Sequence, residues 1–503
     1  MCTNEVELIN QIINAQKLLK SIIICDLFSP VHIEVISATQ FSLVDSFVQS
    51  IYREVLMNLF GISIIFAILC SIHQVDMQNP GVKNVTTVYY NNNEPPKPGQ
   101  KSLIIAFDGT ASMTEDLKQV RIAARDIVND FASRPQKSIY NYVLVVFRDP
   151  YIEDTINTKN PQDIIDILDI LILDSRENPD CPELALGGLN KALKYALPFS
   201  NAYVFTDASA KDHHLANTTK QLIQSTQTTV NFLTTGDCNN PSSINYKVYA
   251  DLAGTQGQFF NVPRSDLAEI VSNLKVELDQ MFSKVMAIDV GQPGTRDEPF
   301  FVDATMSNIR MTLAGKKPKV IIQDPNKNSV VTKDLTLDDL KFVEIKNPFP
   351  GKWQITATTD SNYTLRVGAI STVRFDFGFS KTVTSKESET LFQPLKGQKN
   401  ILSIFVTNPE LFKTLTSVTL VTNEEKIRRQ TTGGEMILKK VKDGIYATEP
   451  HLYPDELCSL QLNGEDLQGN VMQRLLSAAI LPSEPSMKIT SKFDSVFYCH
   501  CLL

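Results

Sequence analysis

The chain has 503 residues, of which 43% are hydrophobic and 21% are charged, so it holds enough material for two to four globular domains and is not disordered throughout. Its formal net charge is -8 and it has no long Lys/Arg tract. This leaves no electrostatic footprint for nucleic acid or an anionic membrane surface, and neither is expected as a partner.

The first recognisable segment is an apolar run, MNLFGISIIFAILCSI, from Met57 to Ile72. Its apolar centre is shorter than the roughly 20 residues of a membrane-spanning helix, but it fits a secretory signal. We predict a signal peptide over 57–73, with Met57 as the start and residues 1–56 not translated. The alternative is a signal anchor preceded by a cytoplasmic tail.

Secretion would make three Asn-x-Thr triplets usable as glycosylation acceptors. These acceptors are Asn84, Asn217 and Asn362. The expected location is therefore outside the cell.

Residues 74–100 are predicted to form a linker, because NNNEPPKPGQ at 91–100 combines three Asn with three Pro. Apolar strands then alternate with segments of helical periodicity over 101–287. Predicted strands are Leu103–Phe107, Tyr142–Phe147, Ala202–Thr206, Thr229–Thr235 and Gln258–Val262. Predicted helices run through Leu117 to Phe131, Pro161–Ile172, Leu184–Leu197, Leu215–Ser225, Tyr246–Ala253 and Ser265–Met286. Continuously apolar strands separated by helices indicate a doubly wound, mostly parallel α/β domain.

After residue 288 the helical period gives way to alternation, as at Trp353, Ile355 and Ala357. We predict two all-β sandwich domains, at 288–381 and 391–482. Val373, Phe375 and Phe377 are assigned to the first sandwich, and the polar segment Thr382–Thr390 is assigned to a linker. Residues 483–503 form a tail.

Three oxygen-bearing residues follow the first strand of the α/β domain, at alternate positions in DGTAS: Asp108, Thr110 and Ser112. Ligands of open α/β sheets bind at the carboxyl ends of the strands, and hard oxygens suit Mg²⁺ or Ca²⁺. Two further loops, NPDCPE ending at Glu183 and Thr206-Asp207, should reach the same edge. The sequence therefore predicts a divalent-cation site with an open coordination position.

In this order and spacing, DGTASM, DCPE and FTDA resemble the metal-ion-dependent adhesion site of von Willebrand factor A domains, and of hemicentins in particular. PGKW at 350–353 and NGEDLQGNVMQR at 463–474 resemble the sandwich segments of hemicentins. The resemblance covers roughly residues 101–482 and implies a galactose-binding-like first sandwich and an Ig-like second one. It implies the metal ligands Asp108, Thr110, Ser112, Glu183 and Asp207.

The same resemblance implies candidate accessory positions. Glu115 and Asp116 fall where integrin β subunits hold a neighbouring cation, and Asn178 and Asp180 are candidates for a third ion. The long immunoglobulin array of hemicentins is missing. The implied role is adhesion in the extracellular matrix, in which an acidic side chain of a partner protein completes the cation's coordination sphere.

Two different hypotheses compete with adhesion. In the first, the domains act as a structural scaffold for the matrix and the ion only fastens three loops together. In the second, DGT ends the nucleophile motif of haloacid-dehalogenase-type phosphatases, but that chemistry needs an aspartate at position 106, where this chain has alanine. No nucleotide-binding or hydrolase motif is present in the sequence, so no catalytic residue is assigned.

Histidines and cysteines offer one further candidate each. His213 and His214 are neighbours, whereas metal ligands on a helix need i, i+4 spacing, so they are predicted to lie at a solvated helix start. Cys181 and Cys238 should both project from the metal-bearing edge, and we predict a disulfide between them. The alternative is two free thiols. Five cysteines follow the signal, which leaves one unpaired or paired between chains.

Overall fold

The computed structural model describes residues 96–97, 99–134, 137–171, 173, 182–238, 244–254, 256–330, 332–422, 434–484, 487–490 and 496–499. All of them lie in a structural unit that spans Thr87–Leu503. The predictions for residues 1–56, the signal peptide at 57–73, Asn84 and nearly all of the linker lie outside the described residues.

The first domain is built on one mixed β-sheet. Its strands are β1 Lys101–Asp108, β2 Ile139–Arg148, β3 Tyr151–Ile152, β4 Ile156–Thr158, β5 Asn201–Ala208, β6 Thr229–Cys238 and β7 Phe259–Asn261. Their order is β3-β2-β1-β5-β6-β7, and β4 also pairs with β2. The pairs from β2 to β7 are parallel, whereas the two short strands beyond β2 are antiparallel.

Helices cover both faces of this sheet. They are α1 Thr114–Ala132, α2 Pro161–Ile170, α3 Ala185–Leu193, α4 Ala216–Thr226, α5 Ile244–Ala253 and α6 Leu267–Leu274. One core joins α1, α2 and α6 to the sheet through Leu117, Leu168 and Ile270, and the other core lies against α3, α4 and α5. Every residue of β1 and β5 is buried, as the uninterrupted apolar runs predict. The doubly wound α/β prediction is confirmed.

The predicted helix Ser265–Met286 is wrong in its second half. After α6, a 3-10 segment covers Lys275–Leu278, and strand β8 begins at Phe282 and runs to Val290. The segment FSKVMAIDV has apolar residues that suit either structure, and antiparallel pairing with a strand at Tyr363–Ser371 decides in favour of the strand. The first sandwich therefore starts at Phe282 and not at residue 288.

The first sandwich contains β8, β9 Gly294–Val302, β10 Met306–Ala314, β11 Lys319–Gln323, β12 Lys333–Thr336, β13 Leu340–Lys346, β14 Gly351–Thr359 and β15 Tyr363–Ser371. One sheet has the order β12-β13-β10-β15-β8 and the other has the order β11-β14-β9. Both are antiparallel, and their facing apolar residues form a shared core.

Trp353, the single tryptophan of the chain, lies in β14 and is only 2% exposed. Its ring packs at 6.1 Å from that of Phe300, and its indole Nε1 donates a hydrogen bond to the Phe349 carbonyl at 2.8 Å. Alternate residues of β14 are buried, as the period-2 pattern predicts. Trp353 is therefore a core residue of the first sandwich.

The second sandwich contains β16 Arg374–Ser380, β17 Lys399–Thr407, β18 Phe412–Thr422, β19 Glu435–Ile437, β20 Lys439–Lys442, β21 Ile445–Ala447, β22 His451–Leu452, β23 Cys458–Asp466 and β24 Val471–Ile480. One sheet has the order β16-β17-β21-β20, with β22 on β17, and the other has β19-β18-β23-β24. The prediction of two β-sandwich domains is confirmed, although one strand is assigned to the wrong sandwich.

The assignment of Phe375 and Phe377 to the first sandwich is wrong. They lie in β16, which pairs along its whole length with β17, and Phe377 belongs to the second core. The predicted linker at Thr382–Thr390 is accordingly a loop within the second sandwich, and it carries a one-turn 3-10 helix at Glu387–Glu389. Its polarity reflects exposure at a strand connection, which the sequence pattern alone does not separate from a linker.

The strands of the first domain's sheet contact both sandwiches at their amino ends, in a region that we call the junction. There the Gln256 amide donates to Gln227 Oε1 at 2.6 Å and to Ser477 Oγ at 3.0 Å. Lys284 Nζ donates to Thr229 Oγ1 at 2.9 Å, and the Arg366 guanidinium reaches the Gly257 carbonyl at 3.2 Å. Buried and part-buried hydrogen bonds thus join the first domain to β8, β15 and β24.

Within the described residues, no helix has the length and apolarity needed to cross a bilayer. In the predicted tail, Met487–Thr490 and Val496–Cys499 pair as antiparallel strands.

Candidate metal centre

The five predicted ligands come from three loops at the carboxyl ends of the central strands, a region that we call the metal edge. β1 ends at Asp108, β5 carries Asp207, and Glu183 lies two residues before the first residue of α3. Parallel pairing of Phe107 with Phe205 brings the ends of β1 and β5 side by side. The topology therefore places these loops at one edge of the sheet, as the sequence predicts.

Asp108 is fully buried and is surrounded by hydroxyl groups. Its Oδ1 accepts hydrogen bonds from Thr110 Oγ1 at 2.7 Å and from the Thr110 backbone N–H at 3.1 Å. Thr110 Oγ1 lies 3.1 Å from Ser112 Oγ, and Ser112 is exposed. Burial raises the pKa of Asp108 to about 6, although these hydrogen bonds work in the opposite direction. The DGTAS segment thus forms a connected oxygen cluster that is open to solvent at Ser112.

Thr206 is a functional candidate that sequence reasoning missed. Its hydroxyl donates to Asp108 Oδ2 at 2.7 Å, so it links the ends of β5 and β1. The neighbouring Asp207 carbonyl accepts from Tyr246 Oη at 3.2 Å, which fixes the backbone at this point. The signal was present in the FTDA segment, where the threonine precedes the predicted ligand.

Glu183 is held between two other loops. Its backbone N–H donates to the Ser209 carbonyl at 2.9 Å, and its carbonyl accepts from the Lys211 N–H at 2.8 Å. Its Oε2 accepts from the Asp149 backbone N–H at 2.5 Å. Lys211 Nζ and the Asp149 carboxylate form an ion pair across the same loops. Glu183 is 5% exposed, so this loop is ordered around a nearly buried carboxylate.

A buried aspartate supports the segment that follows Glu183. Asp212 accepts hydrogen bonds from the backbone N–H groups of Leu186 at 3.1 Å and Gly187 at 2.6 Å, at the amino end of α3. These are donors that a helix start leaves without an intrahelical partner. Asp212 therefore acts as a cap supplied from the loop after β5.

The two accessory candidates are separated. Glu115 is exposed and pairs with Lys118 at 2.6 Å, whereas Asp116 is fully buried. Asp116 Oδ1 accepts from the Thr235 hydroxyl, and its Oδ2 lies 2.9 Å from Arg264 Nε. The helix turns their side chains apart, since adjacent residues do not share a face. The two carboxylates therefore lie in different surroundings, and the neighbouring cation implied at this position stays a prediction.

Arg264 was not predicted as part of the site. Besides Asp116, its guanidinium reaches the second carboxylate, because Nη2 donates to Asp207 Oδ2 at 3.0 Å. Arg264 follows β7 and begins the 3-10 turn Arg264–Asp266. Its position in a loop remote from the ligand motifs gave no sequence signal.

Several predicted positions lie outside the described residues or have no described side chain. Asn178, Asp180 and Cys181 fall in the segment 174–181, and Cys238 is described only as the last residue of β6. The predicted Cys181–Cys238 disulfide stays a prediction. His213 and His214 are exposed in a one-turn 3-10 helix, as expected for a solvated helix start.

The donor chemistry of the metal edge fits a hard divalent cation. Asp108, Thr110 and Ser112 supply oxygens in one cluster, and the buried Ser209 hydroxyl has no hydrogen-bond partner among the described residues. Across the described ranges, however, no three or more His, Cys, Asp or Glu side chains converge closely enough to form a metal cluster. Asp207 Oδ2 is directed to Arg264 and Glu183 Oε2 to Asp149. The fit to a divalent cation therefore depends on the types of donor atom and on the position of the three loops at one edge of the sheet.

Comparisons with known proteins match the first two domains to known families. A model of the von Willebrand factor A domain matches residues 102–264, and a model of the hemicentin galactose-binding domain-like family matches residues 284–372. The second range lies within the first sandwich and ends before β16, in agreement with the corrected strand assignment.

Mouse hemicentin-1 is 28% identical over 412 residues, which are 78% of this chain and 7% of hemicentin-1. Mouse hemicentin-2 is 28% identical over 79% of the chain and 8% of its own length. Human von Willebrand factor A domain-containing protein 7 is 26% identical over 61% of the chain and 36% of its own length. The chain thus spans less than a tenth of the hemicentins it matches, and it carries a hemicentin-like region in which a von Willebrand factor A domain is followed by β-sandwiches.

Proposed function

We propose that the chain is a secreted matrix or cell-adhesion protein whose A domain binds a partner protein through a divalent cation, Mg²⁺ or Ca²⁺, at the metal edge. The observation that carries the proposal is the Asp108–Thr110–Ser112 cluster, which joins a fully buried carboxylate to an exposed hydroxyl. A cation bound there would neutralise Asp108 and remain accessible from the Ser112 side. The proposed ligands are Asp108, Thr110, Ser112, Glu183 and Asp207.

The partner group is proposed to be an acidic side chain, because a carboxylate oxygen is a suitable additional ligand for such an ion. The chain's own residues have separate tasks in this mechanism. Asp108 and Asp207 supply charge from two adjacent strands, and Thr206 orients Asp108 by its hydrogen bond. The bound cation would supply the attraction for the partner's carboxylate. No covalent step is required, so we propose binding and not catalysis.

The alternative, a scaffold module in which the ion only fastens the loops, assigns the ion a structural task. The Glu183 loop is already joined to its neighbours through Ser209, Lys211 and Asp149. Protein contacts alone thus connect the loop before α3 with the loops after β2 and β5. This observation favours the adhesion hypothesis.

The first test is isothermal calorimetry of the full chain with magnesium, calcium and manganese chlorides. Wild-type chain should bind a divalent cation, and Asp108→Ala should bind none. Asp251→Ala removes an exposed carboxylate of α5 in the same domain and should bind as wild type does. Absence of cation binding by the wild-type chain would contradict the proposal.

The second test separates adhesion from a structural role of the ion. Cells are allowed to attach to surfaces coated with wild-type or Asp108→Ala chain, with Mg²⁺ or with chelator. Adhesion predicts attachment only to the wild type with Mg²⁺, and a fall in Tm on chelation no larger than the binding free energy of the ion explains. A larger fall in Tm together with cation-independent attachment would favour the scaffold alternative.

A further inference from the structure

Arg264 lies at the metal edge but has no role in the proposed ligand set. Two nitrogens of its guanidinium face two carboxylates at once, with Nε 2.9 Å from Asp116 Oδ2 and Nη2 3.0 Å from Asp207 Oδ2. The contact to Asp207 is a hydrogen bond, whereas the contact to Asp116 is an ion pair without hydrogen-bond geometry. A single guanidinium charge therefore lies next to both carboxylates.

The bridge is held from both sides by packing. Asp116 lies in the first turn of α1, and Arg264 begins the 3-10 turn that leads into α6. The two helices share one core, in which Leu117 and Leu267 are both buried. Leu117 follows Asp116, and Leu267 lies three residues after Arg264. Because both leucines are fixed in that core, the fold sets the spacing of the ion pair.

The charges at this point explain what the bridge does. Asp116 is 0% exposed and Asp207 is 7% exposed, and Asp207 adds to Asp108 and Glu183 as a third carboxylate of the proposed ligand set. Ionised carboxylates are all negative, so buried ones repel one another unless a cation lies among them. The Arg264 side chain is 40% exposed, so its charge reaches these carboxylates from the solvent side of the loop.

We propose that Arg264 is a built-in counter-cation that occupies the accessory cation position beside Asp116 and thereby restrains divalent-ion binding at Asp207. The inference rests on the proposed function of the metal edge and adds a regulator to it. Asp207 is shared between the guanidinium and the divalent ion. The chain therefore needs no second metal ion to balance Asp116.

The test is a manganese chloride titration of the full chain by calorimetry, with circular dichroism to verify the fold. Arg264→Gln should bind Mn²⁺ at least tenfold more tightly than wild type, since Asp116 and Asp207 lose their counter-charge. Arg264→Lys keeps the positive charge and should stay within about threefold of wild type. Unchanged or weaker binding by Arg264→Gln would overturn the inference.

Asp116→Asn should change the affinity for Mn²⁺ in the opposite direction. With Asp116 neutral, the whole guanidinium charge acts on Asp207, so Mn²⁺ should bind several-fold more weakly than in wild type. The double variant Arg264→Gln with Asp116→Asn should return towards wild-type affinity. A double variant that binds as tightly as Arg264→Gln would show that Asp116 is not the partner and would overturn the accessory-position assignment.

The outcomes separate this inference from the proposed function. If wild type binds Mn²⁺ and Arg264→Gln binds it equally well, the proposed function survives and the Arg264 inference fails. If only Arg264→Gln binds Mn²⁺, Arg264 is a counter-cation and the wild-type adhesion mechanism fails. If neither variant binds Mn²⁺, both fail.

Discussion

The two ends of the central sheet both contain buried charge, but they balance it differently. At the junction, Lys101 Nζ donates to the Glu277 carbonyl at 2.8 Å, and Lys284 makes three hydrogen bonds to Thr229 and Gln256. Positive and negative groups alternate there, since Glu277 lies near both lysines. At the metal edge, Asp108, Asp116, Glu183 and Asp207 are all nearly or fully buried.

The difference shows how a structural charge network can be separated from a ligand site. A network that balances its own charges holds domains together, whereas an excess of buried carboxylates calls for a cation. Arg264 offsets part of that excess at Asp116 and Asp207 but does not contact Asp108 in any hydrogen bond or ion pair of the described residues. The comparison makes predictions for each end.

The largest effect is expected where one partner of a fully buried ion pair is removed between the two sandwiches. Arg474 is 1% exposed, and its guanidinium donates to Asp303 Oδ2 at 2.5 Å and to Thr305 Oγ1 at 2.9 Å. Arg474→Met should lower the free energy of unfolding by about 3–5 kcal/mol, because Asp303 is left buried and unpaired. Equilibrium urea unfolding measures the loss.

The matched control for Arg474 is an exposed pair in the same sandwich. Lys413 and Glu465 lie 2.7 Å apart with side chains 59% and 42% exposed. Lys413→Met should cost at most about 1 kcal/mol. Equal losses for the two variants would contradict the distinction between buried and exposed pairs.

The next effect is a pH dependence that originates at the junction. Burial lowers the pKa of Lys101 and of Lys284 to about 8 from 10.5, and Glu277 opposes both shifts. Between pH 8 and 10.5 the folded chain binds fewer protons than the unfolded chain, so stability rises with pH in that window. The expected rise is about 3 kcal/mol for each lysine.

This rise is measured by urea unfolding at a series of pH values. Lys101→Met and Lys284→Met should each retain roughly half of the rise, and the double variant should show none. Only the slope with pH is diagnostic, because Lys284→Met also loses hydrogen bonds at every pH. A double variant with the full wild-type slope would assign the dependence to other groups.

A smaller effect is expected for the cap at the metal edge. Asp212→Ala should cost about 1–2 kcal/mol, because two backbone N–H groups at the start of α3 lose their acceptor. Cation affinity should also fall several-fold, since Glu183 lies only two residues before this helix. Asp212→Asn keeps one acceptor oxygen and should lie closer to wild type in thermal unfolding and calorimetry. If Asp212→Ala lost stability but kept full cation affinity, the cap would have no role in cation binding.

The smallest effect concerns the glycosylation acceptors. Asn217, in the first turn of α4, and Asn362, between β14 and β15, are both exposed. Chain secreted from animal cells should lose mass on enzymatic deglycosylation, and Asn217→Gln or Asn362→Gln should each remove one glycan. Each substitution should change stability by no more than about 0.5 kcal/mol. An unchanged mass for either variant would show that its acceptor is not used.

The sequence predicts the α/β domain well because its strands are apolar throughout and its helices have one apolar stripe. The errors lie where pairing between distant segments decides the structure. Phe282–Val290 becomes a strand because it pairs with β15, and Arg374–Ser380 belongs to the second sandwich because it pairs with β17. Neither partner can be identified from local periodicity.

The sequence likewise predicts the part of the candidate site whose residues are close together in the chain, but not the part that remote segments supply. Asp108, Thr110 and Ser112 are close in sequence, and their hydrogen-bonded cluster agrees with their spacing. Arg264 lies 57 residues beyond Asp207, and only the packing of α6 against α1 brings it to the edge. The sequence therefore did not predict which remote loops contact each other, nor the positive charge that Arg264 brings to the site.

The position of Trp353 has a spectroscopic consequence. Because the chain has a single tryptophan and its ring is buried against Phe300, fluorescence excited at the red edge of tryptophan absorption reports on the core of the first sandwich alone. A cation added at the far edge of the A domain should leave the emission maximum unchanged. Loss of the first sandwich in denaturant should shift it to the red. One optical signal can therefore separate events in these two domains without a label.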